Sequence, residues 1–288
     1  MKNYLYKVGE LQEGYTSIVN SENSELKLIE FGHLFLSNKG ERYREETGVN
    51  EVVLTIFGGR CSLNIEGTTG QKARYQMIGD RVDVFSGKPT MIYLPKEVRY
   101  EVIAESPNLD VGICMAPSDV EWPPILVKPD DVVERSVGAW NWRRNFYVAI
   151  GDNVKAQRLM VGETLNPPGN WSSYPPHKHD EKGVNEAPYE EVYFFRVKPS
   201  QGFGIQRIYT SPDDKDPLDE VYIVENNDTV VIPRGYHPVV AAPGCQLYYL
   251  WILAGAGEER RYGAWSDDPK HSWLKNCEQI IRDVLTSQ

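Results

Sequence analysis

His177 and His179 are separated by a single residue, Glu191 heads a later apolar run, and His237 follows Pro233-Arg234-Gly235. On a strand, residues i and i+2 share a face, so the two rings of the His-x-His pair project together about 7 Å apart along the backbone. Imidazole nitrogens with a carboxylate oxygen form a ligand set suited to Zn²⁺, Mn²⁺, Fe²⁺ or Ni²⁺. A lone histidine is as readily a surface or hydrogen-bonded residue; the pair, the stiff approach through Tyr174-Pro175-Pro176 and the carboxylate-headed run set this group apart. Glu190 competes with Glu191, since period-2 alternation lets only one point inward, and Glu191 leads the alternation with Tyr193 and Phe195. His33 and His271 stand apart from the group and read as structural.

The segments that must carry these groups are short: 51–57, 91–94, 111–115, 145–150, 191–197, 204–209, 221–224, 230–232 and 246–253. Rich in Val, Ile, Tyr and Phe and bounded by Gly, Pro, Asn and Asp, they predict strands of a sandwich or barrel. Residues 272–285 predict a helix packed back onto a sheet, with Trp273, Cys277, Ile280, Ile281 and Val284 at helical spacing. The chain also repeats itself. Met91-Ile92-Tyr93-Leu94-Pro95 matches Thr229-Val230-Val231-Ile232-Pro233, and Arg99 to Ala104 falls opposite His237 to Ala242. Glu51-Val52-Val53-Leu54 lies opposite Glu191-Val192-Tyr193-Phe194 at nearly the same offset, which predicts a duplication. The Pro-rich stretch 116–127 and the acidic segment 129–134 read as an extended linker at the join.

With 31 basic against 41 acidic residues, the 288-residue chain carries a net charge of −10, which disfavours nucleic acid and anionic lipid as partners. Hydrophobic residues at 41% and charged ones at 25% exclude disorder for the bulk. Residues 1–30 hold no leader-like apolar run, and no stretch reaches the ~18 apolar residues of a membrane span. A cytoplasmic protein is expected. Cys61, Cys114, Cys245 and Cys277 are widely spaced and read as buried free thiols. No Walker loop, dinucleotide fingerprint or GxSxG elbow is present, and Gly202-Phe203-Gly204 reads as a β-turn, so nucleotide chemistry is not indicated.

The His-x-His pair, the strand-heading Glu and the His after a Pro-x-Gly turn resemble the two-part metal motif of the cupins, small β-barrels of jelly-roll type. The segment 180–189 is longer than the usual cupin spacing and implies a loop shaping the pocket mouth. The runs Ser173-Tyr174-Pro175-Pro176-His177-Lys178-His179-Asp180, Glu190 to Phe195, Gly202 to Thr210 and Pro233 to Gly244 are together similar to the 5-deoxy-glucuronate isomerases of inositol catabolism. These are two-cupin proteins related to ketol isomerases of unsaturated uronates. The likeness is dense in the second half and one of layout in the first. It implies a mostly β bicupin, two jelly-roll-type β-barrels with a short C-terminal helix. Residues 1–120 would form a degenerate cupin without a metal site, 121–142 a linker, and 143–288 the metal-binding cupin plus helix. The ligands carry over to His177, His179, Glu191 and His237, whereas Arg99 takes the place of the last His in the first half.

The implied reaction turns the aldose 5-deoxy-glucuronate into the ketose 2-deoxy-5-keto-gluconate without a redox cofactor. Its barrier lies in the enediolate, so the site needs oxyanion stabilisation and a proton-transfer group, with one divalent metal as Lewis acid. Zn²⁺ or Mn²⁺ is expected first, and Fe²⁺ or Ni²⁺ also suits the ligands. The carboxylate of this small sugar acid calls for a cation, for which Lys178, Arg207 and Arg234 are candidates, Arg207 foremost because it lies between Ile205 and Tyr209. Glu220, Asp219, Tyr209 and Tyr236 are the candidates for proton transfer, beside a metal-bound water. Two readings from other classes compete: an iron-dependent cupin dioxygenase, and a non-catalytic sugar-binding cupin. Apolar aromatics on the expected edge strands suit a homodimer.

Overall fold

In the computed structural model the chain is mostly β, with one α-helix among the described residues, Leu274–Thr286. The structure describes residues 3–67, 70–256 and 260–286; residues 1, 2, 287 and 288 of the two expected units lie outside the described residues. Every strand expected from the sequence is present, and others join them, among them Glu30–Leu36, Cys61–Gly67 and Leu159–Asn166.

A six-stranded sheet runs in the order Ile125–Val127, Thr90–Leu94, Asn50–Gly58, Leu109–Pro117, Glu30–Leu36 and Gly14–Val19. It packs on a four-stranded sheet of Arg42–Glu46, Val98–Ala104, Cys61–Gly67 and Lys72–Ile78. The second half repeats this order with one strand added at the edge of its larger sheet. Its larger sheet runs Leu5–Tyr6, Thr229–Ile232, Tyr189–Lys198, Gln246–Gly255, Leu159–Asn166, Arg144–Ile150 and Val133–Val137. Its four-stranded partner runs Trp171–Ser172, Val239–Ala241, Gly204–Tyr209 and Asp219–Val224. None of these described sheets closes on itself, so the expected closed barrels are replaced by open sheets stacked face to face.

Strand register places the repeat one residue away from the sequence match. Val52 pairs with Leu94 and Met115, and Glu191 pairs with Ile232 and Leu253, so Val52 is the counterpart of Glu191, and Glu51 of Glu190. Alternation then decides what each half encloses. In the first half Val52, Leu54 and Ile56 meet Val111 and Ile113 and the four-stranded sheet's Leu63, Ile65 and Val102, an interior filled with aliphatic side chains. In the second half the corresponding faces carry Glu191, Tyr193, Tyr249 and Trp251, which line a cavity. The opposite faces join the halves. Val53, Phe57 and Tyr93 share a core with Val192, Phe194 and Tyr248, and the rings of Phe57 and Phe194 stack with centroids 5.2 Å apart. Burial of each such side chain stabilises by roughly 1.5–3 kcal/mol. His33, as expected, is structural: it is buried beside Asp110 at 2.5 Å, and Asp110 in turn receives Arg196 from the other half at 2.8 Å.

Segment 121–142 is more than an extended connection. Ile125–Val127 pairs with Thr90–Leu94 and Val133–Val137 with Arg144–Ile150, so the chain crosses between the halves while bonded to both. The N-terminal strand Leu5–Tyr6 pairs with Thr229–Ile232 of the second half. The helix departs from expectation, because its apolar stripe at Trp273, Ile280 and Val284 is more than half exposed. Polar contacts hold it instead: the Gly138 N–H donates to Glu278, and Arg282 donates to the Ser136 carbonyl. The four cysteines are free, Cys61 and Cys114 buried, Cys245 and Cys277 partly so.

Candidate metal centre and its cavity

Glu191 projects from the start of Tyr189–Lys198 onto the interior face, and its Oε2 lies 3.0 Å from His179 Nε2 and 3.1 Å from His237 Nε2. One ligand atom from each of the three lies within 4.8 Å of the others, and the residues are 4%, 5% and 0% exposed in the order Glu191, His179, His237. The Nδ1 of His179 faces the Tyr189 carbonyl at 3.1 Å, and that of His237 faces the Gly235 carbonyl at 2.9 Å. Donation of Nδ1–H to these carbonyls turns each Nε2 lone pair toward Glu191, the orientation that backbone carbonyls impose on metal-binding imidazoles. His237 Nε2 is buried without a hydrogen bond, despite its proximity to Glu191. An orphaned lone pair beside a carboxylate and a second imidazole fits a divalent cation.

His177 stands at the side of this trio. It lines the cavity with its ring centroid 4.8 Å from that of His237 and 5.3 Å from the Trp265 indole, but its nitrogens fall outside the three-residue cluster. Burial, then the neighbouring His237 and His179, hold its pKa well below 6.5. Burial raises and the two imidazoles lower the Glu191 pKa, with a net fall to about 2. For His179 burial works downward, but the hydrogen bond and charge of Glu191 prevail and raise it. Glu190 points away: its carboxylate accepts the N–H groups of Lys27 and Leu28, each at 2.8 Å.

The cavity above the trio has a volume of about 350 Å³. Tyr193, Tyr249, Trp251, Tyr262 and Trp265 form much of its wall. Ser173 and Tyr193 hydroxyls lie 2.9 Å apart, and burial followed by the charge of Glu191 pushes the Tyr193 pKa well above 10. Arg144, which sequence reasoning missed, also lines the cavity; its Nη1 donates to the carbonyls of Tyr174 at 2.9 Å and Trp142 at 3.2 Å. The signal available was an arginine opening a strand that is apolar from Phe146 onward, Arg144–Ile150.

The remaining nominated residues do not line this cavity. Lys178 sits between two inward histidines, so alternation sends it to the other face, where Asp180 at 2.7 Å and Glu186 at 3.0 Å hold it. Asp180 also accepts the Gly235 N–H at 2.7 Å, tying the loop after His179 to the turn before His237. In Gly204–Tyr209 the buried positions are Gly204, Gln206 and Ile208, so Arg207 belongs to the outer face. There it pairs with Asp219 through Nε at 2.7 Å and Nη2 at 2.9 Å and lies over the Tyr209 ring. Arg234 donates to the Asp216 carbonyl, the Tyr209 hydroxyl to Asp268, and the Tyr236 ring packs on that of Tyr209. Glu220 is on the edge strand Asp219–Val224. His271 packs against Tyr174, away from the trio.

Known proteins resemble this chain in sequence and fold. The chain is 35% identical over 265 residues to a 5-deoxy-glucuronate isomerase of Geobacillus thermodenitrificans, covering 91% of this chain and 92% of the relative. It is 34% identical over 259 residues to a 5-deoxy-glucuronate isomerase of Bacillus subtilis strain 168, covering 89% and 91%. The crystal structure of an IolB-like protein from Salmonella typhimurium LT2 superposes with a TM-score of 0.86 at 29% identity, covering 95% of this chain and 99% of that one. An oxalate decarboxylase of Lactobacillus farciminis shares the cupin-like fold at 12% identity, with a TM-score of 0.68 and coverage of 99% and 94%. The model of the KduI/IolB family matches residues 4–274, and this chain belongs to that family.

Proposed function

We propose that the chain is an aldose–ketose isomerase that converts 5-deoxy-glucuronate into 2-deoxy-5-keto-gluconate in the cytoplasmic catabolism of inositol. The observation that carries the reading is the buried trio of His179, Glu191 and His237 at the cavity, with its orphaned imidazole nitrogen. Family membership and the names of the relatives support the substrate. The reading takes 1–120 and 143–288 as two jelly-roll cupin units joined through 121–142; the strand order they share over six positions of the larger sheet and four of the smaller supports this. It includes a homodimer, for which Trp273, Ile280 and Val284 offer an exposed apolar stripe.

His179, Glu191 and His237, with His177 closing from the cavity side, would hold one divalent ion, Zn²⁺ or Mn²⁺ before Fe²⁺ or Ni²⁺. Bound there, the ion would polarise the sugar carbonyl and neutralise the developing enediolate. The aromatic wall excludes water and gives the sugar's C–H faces apolar contact. Tyr193, kept protonated by its surroundings, donates its O–H toward the substrate oxygen on which charge develops. Arg207, Glu220, Tyr209 and Tyr236 take no part in catalysis in this reading, nor Lys178 and Arg234 in substrate binding, since all lie outside the cavity lining.

The test is metal content by mass spectrometry with turnover of 5-deoxy-glucuronate under nitrogen, for the parent and for Glu191→Gln and His237→Ala. The reading predicts about one ion per chain, oxygen-independent turnover, and loss of both in the variants. Oxygen consumption during turnover would favour a dioxygenase, and ligand binding without turnover a sugar-binding protein.

A further inference from the structure

A uronic acid is a sugar at one end and an anion at the other. In the isomerase reading the trio of His179, Glu191 and His237 serves the carbonyl end, which leaves the carboxylate at the other end to a separate cation. The cations lining the cavity are Arg135, Arg144 and Lys275. Lys275 pairs with Asp267, and Arg135 is exposed on the outermost strand, Val133–Val137. Arg144 remains, one strand further in.

Its hydrogen bonds divide the guanidinium in two. The Nη1 group donates to the Tyr174 and Trp142 carbonyls, which fixes the plane of the fork. Among the described residues, none accepts from Nε or Nη2, and no carboxylate forms an ion pair with the group. Neither atom is among the sealed, unpartnered polar atoms of the described residues, and Arg144 is part of the cavity wall. Nε and Nη2 are also the edge with which Arg207 grips both oxygens of Asp219, at 2.7 and 2.9 Å. An arginine that is anchored by one nitrogen, forms no ion pair and lines an aromatic-walled cavity is pre-organised for a bidentate carboxylate on its remaining edge. Its charge is felt by His177, Tyr193 and Tyr249, which places it in the same electrostatic space as the trio.

We propose that Arg144 is the substrate-anchoring residue of the cavity, receiving the carboxylate of a uronic acid on its Nε/Nη2 edge while the carbonyl end meets the histidine–glutamate trio. The assignment rests on the isomerase reading for the identity of the natural substrate, but not for the chemistry of the anion it binds. Lys178, Arg207 and Arg234 are occupied by carboxylates or carbonyls elsewhere, and none lines the cavity.

The experiment uses the full chain loaded with Zn²⁺ and two probes of equal shape, D-glucuronate and its neutral amide, D-glucuronamide. Binding is followed by fluorescence of the cavity tryptophans Trp251 and Trp265, and turnover of 5-deoxy-glucuronate is measured alongside. The parent should bind glucuronate in preference to the amide. Arg144→Gln should weaken glucuronate by about 10- to 100-fold, the scale of a lost charge-assisted pair, and leave the amide within about twofold. Arg144→Lys, which keeps the charge but loses the fork, should fall between; it carries the test if the glutamine variant fails to fold. In turnover, KM should rise more than kcat falls. A folded variant that still prefers glucuronate as the parent does, or a parent that does not distinguish the probes, overturns the assignment. A parent that discriminates but does not turn over 5-deoxy-glucuronate contradicts the isomerase reading and upholds the carboxylate site.

Discussion

Glu51 and Glu190 hold equivalent positions in the two halves, and each carboxylate binds backbone N–H groups of the opposite half. Glu51 accepts from Gln157, Arg158 and Leu159 at 2.8, 2.7 and 2.8 Å, and Glu190 from Lys27, Leu28 and Ile29 at 2.8, 2.8 and 3.3 Å. Each set lies at the entry to equivalent strands, Leu159–Asn166 and Glu30–Leu36. One residue further on, alternation turns Glu191 into the cavity and Val52 into a solid core. The same strand start thus serves assembly through one glutamate and the candidate metal centre through the next.

Glu51 is fully buried, and glutamine in its place offers one acceptor oxygen where the carboxylate offers two. Glu51→Gln should therefore lower stability by about 1.5–3 kcal/mol, the range for hydrogen bonds to a charged group. Urea unfolding reads the loss, and metal content of the folded protein should be unchanged.

Gly235 has φ +87°, and a Cβ there would lie 2.6 Å from the Tyr209 carbonyl oxygen. Its own carbonyl faces His237 Nδ1, so Gly235→Ala must shift the group that orients a candidate ligand. Loss of such an orienting partner typically costs about 10- to 100-fold in metal affinity. Competition with a chromophoric chelator should show a fall of that size with the far-UV spectrum intact.

Acid should act on the metal-free protein through His177 first. Its folded pKa is well below the ordinary 6.5, so below about pH 6.5 the unfolded chain takes up a proton that the folded one refuses, and stability falls. Glu191, ordinarily 4.5 and about 2 when folded, removes stability only as the pH drops from about 4.5 toward 2. His179 runs the other way: its raised pKa contributes stability below 6.5 that fades as the pH rises through the folded value. His177→Gln should accordingly flatten the decline in urea midpoint between pH 7 and pH 5 in the presence of chelator.

Arg207 and Asp219 form an exposed pair of a kind worth about 0–1 kcal/mol. Arg207→Ala should change KM by less than about twofold in steady-state turnover. A large rise in KM would return the carboxylate-binding role to this face of the molecule.

Two of the candidate ligands, His179 and Glu191, are readable in the sequence from local spacing, and His237 from the Pro-x-Gly turn before it. His177, on the short strand His177–Lys178, and His179 just beyond it both line the cavity, as their i, i+2 spacing predicts, and Glu191 alternates in step with Tyr193 and Phe195. The repeat is readable too, but its register is not: both halves start a strand with glutamate, and pairing across the sheet, rather than residue identity, settles which glutamate matches which. Arg207 shows the limit of alternation. A half-buried strand has two faces, and only the neighbouring strands show that Gln206, not Arg207, turns inward. Arg144 enters the cavity from a strand far from the His-x-His pair, a proximity created by sheet order alone.

Proton NMR of 5-deoxy-glucuronate incubated with the metal-loaded chain in D₂O under nitrogen tests the central claim most directly. The account predicts conversion to 2-deoxy-5-keto-gluconate, deuterium at the carbon that receives the proton, and loss of conversion with Glu191→Gln. An unchanged substrate spectrum with the metal-loaded parent, or undiminished conversion by Glu191→Gln, would contradict it.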